Sequence, residues 1–301
     1  MLTIGSRGSQ LAVWQARWIQ SRLAALGEEA RIEIIHTTGD KITDVPLSKV
    51  GTKGLFTKEI EEALLRGDID VAVHSLKDMP TELPDGLTLA AIPEREDPRD
   101  ALVGRRWDEL VEGARVGTSS LRRAAQLRAH RQDLVIETIR GNVDTRVRKL
   151  DEGQYEAIVL ASAGLRRLGL DGRIAEVLDP DFMCPAVGQG ALAVETRADN
   201  GRALQLCGRL DDANTRTAVT AERAVLATLG GGCQVPIGAH AVVDGRAVKM
   251  DAVVVAPDGA CIIRRNARGE ASEARAIGQR LGEELLTAGA REILDEVYGR
   301  S

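Results

Sequence analysis

The stretch LTIGSRGSQLAVWQARWIQSRLAALGEEARIEIIHT, residues 2–37, decides the fold class. LTIGS is a short apolar run typical of a strand, and SQLAVWQARWIQSRLAAL has the apolar spacing of an amphipathic helix. RIEIIHT is typical of a second strand. A strand, a helix and a strand in this order form the unit from which parallel sheets are built. The sequence therefore predicts an α/β fold.

The same alternation continues through the first two thirds of the chain. FTKEIEEALLRG (56–67) predicts a helix, and IDVAVHSL (69–76) predicts an almost entirely apolar strand. After the polar break PEREDPRD (93–100), strands and helices alternate again from ARVGTSS (114–120) to YEAIVLASAG (155–164). Two such units in tandem predict two α/β lobes with mainly parallel sheets. Ligands of such folds bind beyond the carboxyl ends of the strands.

Beyond about residue 213 the pattern changes. The helix TRTAVTAERAVLATL leads into LGGGCQVPIG (229–238), in which three glycines precede Cys233. Glycine loses much conformational entropy on folding, so this run predicts a loop, and a thiol on a loop is accessible for reaction. Three strand-like runs joined by the hairpin signals VDGR and PDGA follow, and a final helix (273–297) closes the chain. We expect a small C-terminal α+β domain that presents Cys233 at its edge.

Composition and charge disfavour several classes of function. Aromatic residues make up only 2% of the chain, which disfavours the stacking surfaces of single-strand nucleic-acid binders, and the net charge of −5 gives no overall attraction to nucleic acid or anionic membrane. No apolar run is long enough to span a bilayer, and the first residues lack a signal-peptide pattern. The four cysteines and four histidines are too scattered for a metal site. We expect a cytoplasmic monomer that binds no metal, nucleic acid or membrane.

Hydroxyl groups, glycines and cations recur in the turns between predicted strands and helices. Helix N-termini offer unpaired N–H groups, and arginine adds two-pronged donors that suit carboxylates. A single turn of this kind is more often an ordinary helix cap followed by solvated arginines. The repetition favours a site for an anion with several negative groups. The turns contain Arg7 and Ser9; Lys49 and Lys53; Thr118, Ser119, Ser120, Arg122 and Arg123; Arg140, Asn142 and Arg146; and Arg166 and Arg167.

One acidic residue stands out against these cations. HSLKDMP places Lys77 and Asp78 directly after the apolar strand and before Pro80. Opposite charges nearby keep an aspartate ionised, and such a carboxylate stabilises a cationic intermediate or relays a proton. The competing interpretation is a turn aspartate that caps the chain before proline. His74, in the same strand, is expected to pack or hydrogen-bond rather than to act in catalysis.

Two other classes of function stay open on the residues alone. Two α/β lobes with a basic cleft also describe a receptor that traps a di- or tricarboxylate, and arginine-rich turns also occur in nucleic-acid binders. The Gly-Gly-Gly-Cys loop disfavours the receptor, and the low aromatic content disfavours the nucleic-acid binder. Nucleotide binding has little support, because neither GTKGLF nor GTSS matches a P-loop and no GxGxxG follows the first strand.

The chain resembles the porphobilinogen deaminase (hydroxymethylbilane synthase) family along almost its whole length. The resemblance rests on SRGSQLAVWQ, KVGTKGLF, AVHSLKDMP, EREDPRDALV, GTSSLRR, RGNVDTR, CPAVGQGA, TAERA and GGCQVPIG. It implies a transferase of tetrapyrrole (heme) biosynthesis that joins four porphobilinogen molecules head to tail, releases ammonia at each step and gives hydroxymethylbilane. It also implies two lobes like those of periplasmic binding proteins, with the active site in the cleft between them, and a third domain. The implied domains are 1–94 with 190–209, 95–189, and 213–301.

The resemblance further implies a dipyrromethane cofactor, made from the substrate and attached to Cys233 through a thioether. Asp78 falls on the family's catalytic aspartate. Every pyrrole brings two carboxylates, so a growing chain is strongly anionic and suits a cation-lined site. Cys184, Cys207 and Cys261 are expected to be packing thiols. The implied cofactor-binding residues are Lys77, Ser75, Thr118, Ser119, Arg122, Arg123, Arg140 and Arg146, and the implied substrate-binding residues are Arg7, Ser9, Lys49, Lys53, Arg140, Arg146 and Arg167.

Overall fold

A computed structural model describes residues 1–41, 55–231 and 235–299 of the chain. Strands and helices alternate through most of it, as the apolar periodicity predicts. The strands are β1 (Leu2–Ser6), β2 (Ala30–Ile34), β3 (Val71–Ser75), β4 (Leu87–Ala91), β5 (Asp100–Gly104), β6 (Arg115–Gly117), β7 (Val135–Glu137), β8 (Ala157–Ala161), β9 (Ile174–Val177), β10 (Leu192–Arg197), β11 (Ile237–Asp244), β12 (Ala247–Val255) and β13 (Ile262–Glu270). The helices are α1 (Gln10–Ala25), α2 (Thr38–Lys41), α3 (Lys58–Arg66), α4 (Leu121–His130), α5 (Val143–Asp151), α6 (Ser162–Arg167), α7 (Gly201–Gly208), α8 (Ala213–Thr228), α9 (Ala274–Leu285) and α10 (Arg291–Tyr298).

The chain divides into two units. Unit 1 comprises Met1–Glu96 and Gly190–Arg216, and unit 2 comprises Asp97–Gln189 and Thr217–Ser301. The chain thus leaves unit 1, returns to it and leaves it again. The first passage lies inside the polar stretch 93–100, where two prolines and several charges disfavour a regular element.

The sheet of unit 1 has five strands in the order β2–β1–β3–β10–β4. β1 pairs in parallel with β2 and with β3. β10 lies antiparallel to both β3 and β4. Four strands therefore run in one direction, and β10 runs against them.

Unit 2 repeats this pattern in a sheet of order β7–β6–β8–β5–β9. β6 pairs in parallel with β7 and β8, and β5 lies antiparallel to β8 and β9. The α/β prediction is confirmed, and the strands are mainly parallel in direction. β5 is the first strand after the chain enters unit 2, and β10 is the first strand after the chain re-enters unit 1. The strand–helix alternation in the sequence does not reveal that these two strands are reversed.

Apolar side chains cover both faces of the unit 1 sheet, as expected for a sheet with helices on both sides. Alternate residues of a strand point to opposite faces. Val71 and Val73 of β3 accordingly pack in the core with α1, and Ala72 packs in the core with α3. The α1 side contains Leu2, Ile4, Ala16, Ile19 and Leu23, and the α3 side contains Ile60, Ala63, Leu64, Ile69 and Leu87.

The C-terminal part of unit 2 is a three-stranded antiparallel sheet, β11–β12–β13, packed against α8 and α9. This confirms the small α+β domain. α8 ends at Thr228, two residues before the first glycine of the predicted loop, Gly230, which has a φ of 65°. Gly231 N donates to Leu226 O at 2.9 Å and Gly230 N donates to Ala227 O at 3.0 Å, which is a Schellman termination.

The final helix is interrupted, whereas the sequence predicts one continuous helix. α9 and α10 are separated by a π turn, Leu286–Ala290. Gly289 in this turn has a φ of 105°, which an α-helix does not contain. The apolar periodicity continues through the interruption, which is why the pattern alone did not reveal it.

Candidate active site

Four of the predicted site residues of unit 1 line a cavity of about 70 Å³. Arg7 follows β1, Ser75 ends β3, and Asp78 ends the 3-10 turn Leu76–Asp78 that also contains Lys77. The cavity therefore lies at the carboxyl ends of two adjacent parallel strands, where α/β proteins build their sites. The chain brings together Arg7, Ser9, Ser75 and Asp78 and adds Gln15, Phe56 and His74 to the lining.

Local contacts orient the polar side chains of this cavity. Ser9 caps α1, since its Oγ accepts a hydrogen bond from Ala12 N at 3.3 Å. The Arg7 guanidinium lies 4.2 Å above the centre of the Phe56 ring. This cation–π arrangement holds the group against the cavity wall. These contacts hold a cation and a hydroxyl beside the Asp78 carboxylate.

The predicted site residues of unit 2 lie in two neighbouring turns. Thr118 and Ser119 follow β6, and Arg140 follows β7. Thr118 N donates to Glu137 O at 2.9 Å, and Ser119 Oγ donates to Ile139 O in a short hydrogen bond. The turn after β6 is therefore tied to the turn after β7. Both again lie at the carboxyl ends of parallel strands.

Arg122 and Arg123, in the first turn of α4, are buried and share one carboxylate. Arg122 Nη1 lies 2.7 Å from Asp100 Oδ2, and Arg123 Nε and Nη2 donate to Asp100 Oδ1 at 3.0 and 2.7 Å. Burial raises the pKa of Asp100, but the charges of the two arginines outweigh it and hold the pKa well below its ordinary value. Two cations thus face one anion in the interior.

Arg140 and Arg146 add more positive charge to this region. Arg146 Nε donates to Gly141 O at 2.8 Å. Burial and the nearby charges of Arg123 and Arg140 lower the pKa of Arg146 to about 10. The contribution of Arg123 and Arg140 shows that positive charges lie close to Arg146, so a bound carboxylate would stabilise the cluster. The residues present therefore fit a ligand with several carboxylates, such as the dipyrromethane that the resemblance implies.

Gly141 allows this turn to be tight. Its φ of 111° lies in the region that favours glycine. A Cβ at this position would lie 2.6 Å from Thr145 Cγ2. A larger residue would displace the turn that holds the Arg140 and Arg146 side chains.

The prediction also contains Arg167, Lys49, Lys53 and Cys233. Arg167 is buried at the end of α6. Lys49, Lys53 and Cys233 lie outside the described residues. Arg166, in contrast, pairs with Asp97 at 3.1 Å and is an ordinary ion-paired arginine.

Sequence reasoning missed several residues of the site. Asp100, which balances Arg122 and Arg123, opens the apolar strand β5, and a charged residue at that position is a signal that could have been noticed. Gln189 Nε2 donates to Asp100 Oδ1 at 2.8 Å and to Pro98 O at 2.7 Å. Nothing in the sequence pattern indicates that Gln189 would reach across to β5.

The cysteines follow the expectation only in part. Cys184 and Cys207 are fully buried, and burial raises the pKa of each thiol to about 12. Cys261 is exposed, so it is not a packing thiol. It lies in the hairpin between β12 and β13, where the side chain points away from the core.

Within residues 1–41, 55–231 and 235–299, there is no cluster of three or more His, Cys, Asp or Glu side chains that could hold a metal ion. None of the helices in that part of the chain is both long and apolar enough to cross a membrane.

Two family models match the chain. The model described as porphobilinogen deaminase, dipyromethane cofactor binding domain, matches residues 2–205, and the model described as porphobilinogen deaminase, C-terminal domain, matches residues 216–287. A solved periplasmic substrate-binding protein of an ABC transporter from Coxiella burnetii is similar at a TM-score of 0.43 and 15% identity, covering 70% of this chain and 91% of that chain.

Relatives with the same family name match almost end to end. The porphobilinogen deaminase of Pelobacter propionicus is 52% identical over 99% of this chain and 98% of its own length. That of Syntrophobacter fumaroxidans is 51% identical over 99% and 98%, and that of Brevibacillus brevis is 51% identical over 98% and 96%. On these matches, which span both units, the chain belongs to the porphobilinogen deaminase family.

Proposed function

We propose that this protein joins four porphobilinogen molecules head to tail, releases ammonia at each step, and gives hydroxymethylbilane. Family membership supports the reaction and the dipyrromethane cofactor. The structural observation that carries the proposal is the net-positive cluster of Arg123, Arg140 and Arg146, because a pyrrole chain adds two carboxylates with every unit. The overall net charge of −5 does not account for this local concentration of cations.

The cofactor residues are proposed as a set. When bound, the dipyrromethane supplies the covalent primer from which the pyrrole chain grows. Cys233 would hold it through a thioether. Arg122 also donates to Cys184 O, and Arg123 to Val159 O and Gln189 Oε1. Each guanidinium has five N–H donors, so at least one remains on each arginine for a carboxylate. The residues that would hold the cofactor's carboxylates are Lys77, Ser75, Thr118, Ser119, Arg122, Arg123, Arg140 and Arg146.

Asp78 is the proposed catalytic residue. Loss of ammonia from porphobilinogen leaves positive charge on the pyrrole, and a carboxylate fixed at the cavity wall stabilises that charge and accepts or returns a proton. The cation Arg7 lines the same cavity. The residues proposed to bind the substrate's own carboxylates are Arg7, Ser9, Lys49, Lys53, Arg140, Arg146 and Arg167.

The proposal also covers the localisation, the oligomeric state, the binding partners and the domains of the protein. We propose a cytoplasmic monomer that needs no metal and binds neither nucleic acid nor membrane. We also propose three domains, 1–94 with 190–209, 95–189, and 213–301. The separate three-stranded sheet in unit 2, and a second family model that begins at residue 216, support the third domain.

The intact mass of the purified protein tests the proposal. We expect a mass above the sequence value by one dipyrromethane, and we expect Cys233→Ser to lose both the added mass and the activity. Cys261→Ser, which removes an exposed thiol of the same domain, should keep both. A receptor for di- or tricarboxylates would instead show the unmodified mass and would bind such anions without consuming porphobilinogen. An active protein of unmodified mass would contradict the proposal.

A further inference from the structure

Two consecutive residues at the end of β3, His74 and Ser75, are each held by a buried polar side chain. Because alternate residues of a strand point to opposite faces, and Val73 packs with α1, Ser75 lies on the α1 face and His74 on the α3 face. On the α1 face, Gln15 Nε2 donates to Ser75 Oγ at 2.9 Å, and Gln15 itself is only 2% exposed. One side of the strand end is therefore fixed by α1.

On the opposite face, His74 Nε2 lies 3.1 Å from Oε2 of Glu195 on β10. The His74 side chain is 4% exposed and the Glu195 side chain is 0% exposed. β10 is antiparallel to β3 with Ala193 opposite His74, so Glu195 lies two residues along the same face of the sheet. Burial of a carboxylate without a hydrogen-bonded partner is strongly unfavourable, and His74 supplies that partner.

A third ionisable group faces the pair from α3. Glu61 is buried, and burial together with the charge of Glu195 raises its pKa, against opposing effects of Thr57 and His74. Glu61 therefore lies close enough to interact electrostatically with both members of the pair. The groups that face His74 in the described part of the chain are thus Glu195 from β10 and Glu61 from α3.

The strand end fixed in this way leads directly into the catalytic turn. The 3-10 turn Leu76–Asp78 begins at the residue after Ser75, and Leu76 N donates to Ala191 O at 3.0 Å within the sheet. His74 also lines the cavity that Asp78 enters. Displacement of a catalytic group by about 1 Å costs on the order of 100-fold in rate, so the rigidity of this strand end matters for turnover.

We propose that His74 and Glu195 are positioning residues for Asp78. Their hydrogen bond on the α3 face, opposite the Gln15–Ser75 bond on the α1 face, holds the end of β3 in the position from which the Asp78 carboxylate reaches the substrate. This inference rests on the proposed role of Asp78.

The first experiment compares His74→Leu, which removes the hydrogen bond, with His74→Gln, whose amide can still donate to Glu195. We expect His74→Leu to lower kcat about 10- to 100-fold with KM changed less than about twofold, and His74→Gln to recover most of kcat. Intact mass should show normal cofactor loading in both. Glu61→Gln, which changes a buried neighbour of the pair and leaves the His74–Glu195 hydrogen bond in place, is the matched control and should keep wild-type kcat.

The second experiment places His74→Leu in the Asp78→Asn background and measures single-turnover rates. If His74 acts only through Asp78, the double variant is no slower than Asp78→Asn alone, because the two effects are not additive. The inference would be overturned if the rate losses of the two substitutions multiplied in the double variant. It would also be overturned if His74→Leu and His74→Gln lost kcat equally and altered its pH profile. Either result would show that His74 transfers a proton itself. Where His74→Leu does not fold, Glu195→Gln replaces it and should lower kcat about tenfold with unchanged loading.

Two further outcomes separate this inference from the proposed function. Normal turnover in Asp78→Asn would remove Asp78 from its role and the positioning inference with it. In the other outcome, Asp78→Asn has a low kcat, whereas His74→Leu loses only thermal stability. This result would leave the role of Asp78 intact and overturn the positioning inference alone.

Discussion

Asp100 Oδ1 accepts two hydrogen bonds from one side chain, from Nε and Nη2 of Arg123 at 3.0 and 2.7 Å, at a site where the carboxylate is 0% exposed. This pairing connects the first residue of β5 to the first turn of α4. The same carboxylate also lies 2.7 Å from a second buried arginine, Arg122. The proposed anion site of unit 2 therefore depends on a carboxylate that is not itself predicted to bind the ligand.

Replacement of Asp100 by asparagine is expected to lower the free energy of unfolding by about 3–5 kcal/mol, because it leaves two buried guanidinium groups without a counter-charge. Urea unfolding followed by circular dichroism measures this. Asp108→Asn is the matched control: that carboxylate is 75% exposed and lies 3.4 Å from Arg106, so the change should stay within about 0.5 kcal/mol. Equal stability of the two variants would contradict the buried ion pair.

The same pair predicts a dependence of stability on pH. The folded-state pKa of Asp100 lies below its unfolded value of about 3.9, so its contribution is present above that pH and is lost as the pH falls toward the folded pKa. We expect the stability difference between wild type and Asp100→Asn to shrink as the pH is lowered from about 5 to 2. Unfolding free energies measured across this range check the sign. A difference that grows in acid would show that the folded-state pKa of Asp100 lies above its unfolded value.

Arg146→Leu tests the net-positive cluster. The substitution removes a charge-assisted hydrogen bond worth about 1.5–3 kcal/mol. It should therefore lower kcat/KM for porphobilinogen about 10- to 100-fold or block cofactor loading. The thermal stability should not fall, because the change also removes repulsion from Arg123 and Arg140. Arg148→Leu, which removes a 69% exposed arginine from the same helix, is the control and should have little effect on either. Identical behaviour of the two variants would place Arg146 outside the site.

Asp78→Asn is expected to give a folded protein with intact cofactor and a kcat lower by about 100- to 1,000-fold, since it removes charge stabilisation at the reacting centre. Steady-state rates of porphobilinogen consumption and the intact mass measure the two properties separately. Asp85→Asn, at an exposed position in the turn before β4, should leave both unchanged. A wild-type rate in Asp78→Asn would assign the acid–base chemistry to another group.

Thiol counts provide a check on Cys233 that does not use activity. The chain has four cysteines, and occupation of Cys233 leaves three, so we expect three reactive thiols after denaturation. In the folded protein at pH 8, Cys184 and Cys207 should not react, because burial raises their thiol pKa values to about 12, whereas the exposed Cys261 should react readily. Titration with a chromogenic disulfide gives both numbers. Four thiols in the denatured wild type would rule out a thioether at Cys233.

Much of the fold could be predicted from residue patterns. Helix α4 occupies the predicted stretch LRRAAQLRAH, and Ser120 caps it through an Oγ that accepts a hydrogen bond from Arg123 N, as a hydroxyl at that position predicts. The three-stranded sheet of the C-terminal part follows from its hairpin signals. Local patterns succeed here because capping, turns and alternation involve residues close together in the chain.

The direction of β5 and β10, the kink at Gly289 and the pairing of Asp100 with two arginines could not be predicted in the same way. Each depends on which distant segments meet: Asp100 and Arg123 are 23 residues apart, and Asp100 and Gln189 are 89 residues apart. Periodicity carries no information about such contacts.

The sequence by itself determined which chemical groups are available: a cysteine after three glycines, an aspartate at a strand end, and cations in a series of turns. It determined this because composition and local spacing specify donors, acceptors and caps directly. Only the tertiary structure decided which of those groups are already neutralised inside the protein, as Arg122 and Arg123 are in part, and which leave a region with excess positive charge. That distinction requires the actual distances and burial of groups far apart in the chain, because electrostatic energies depend on both.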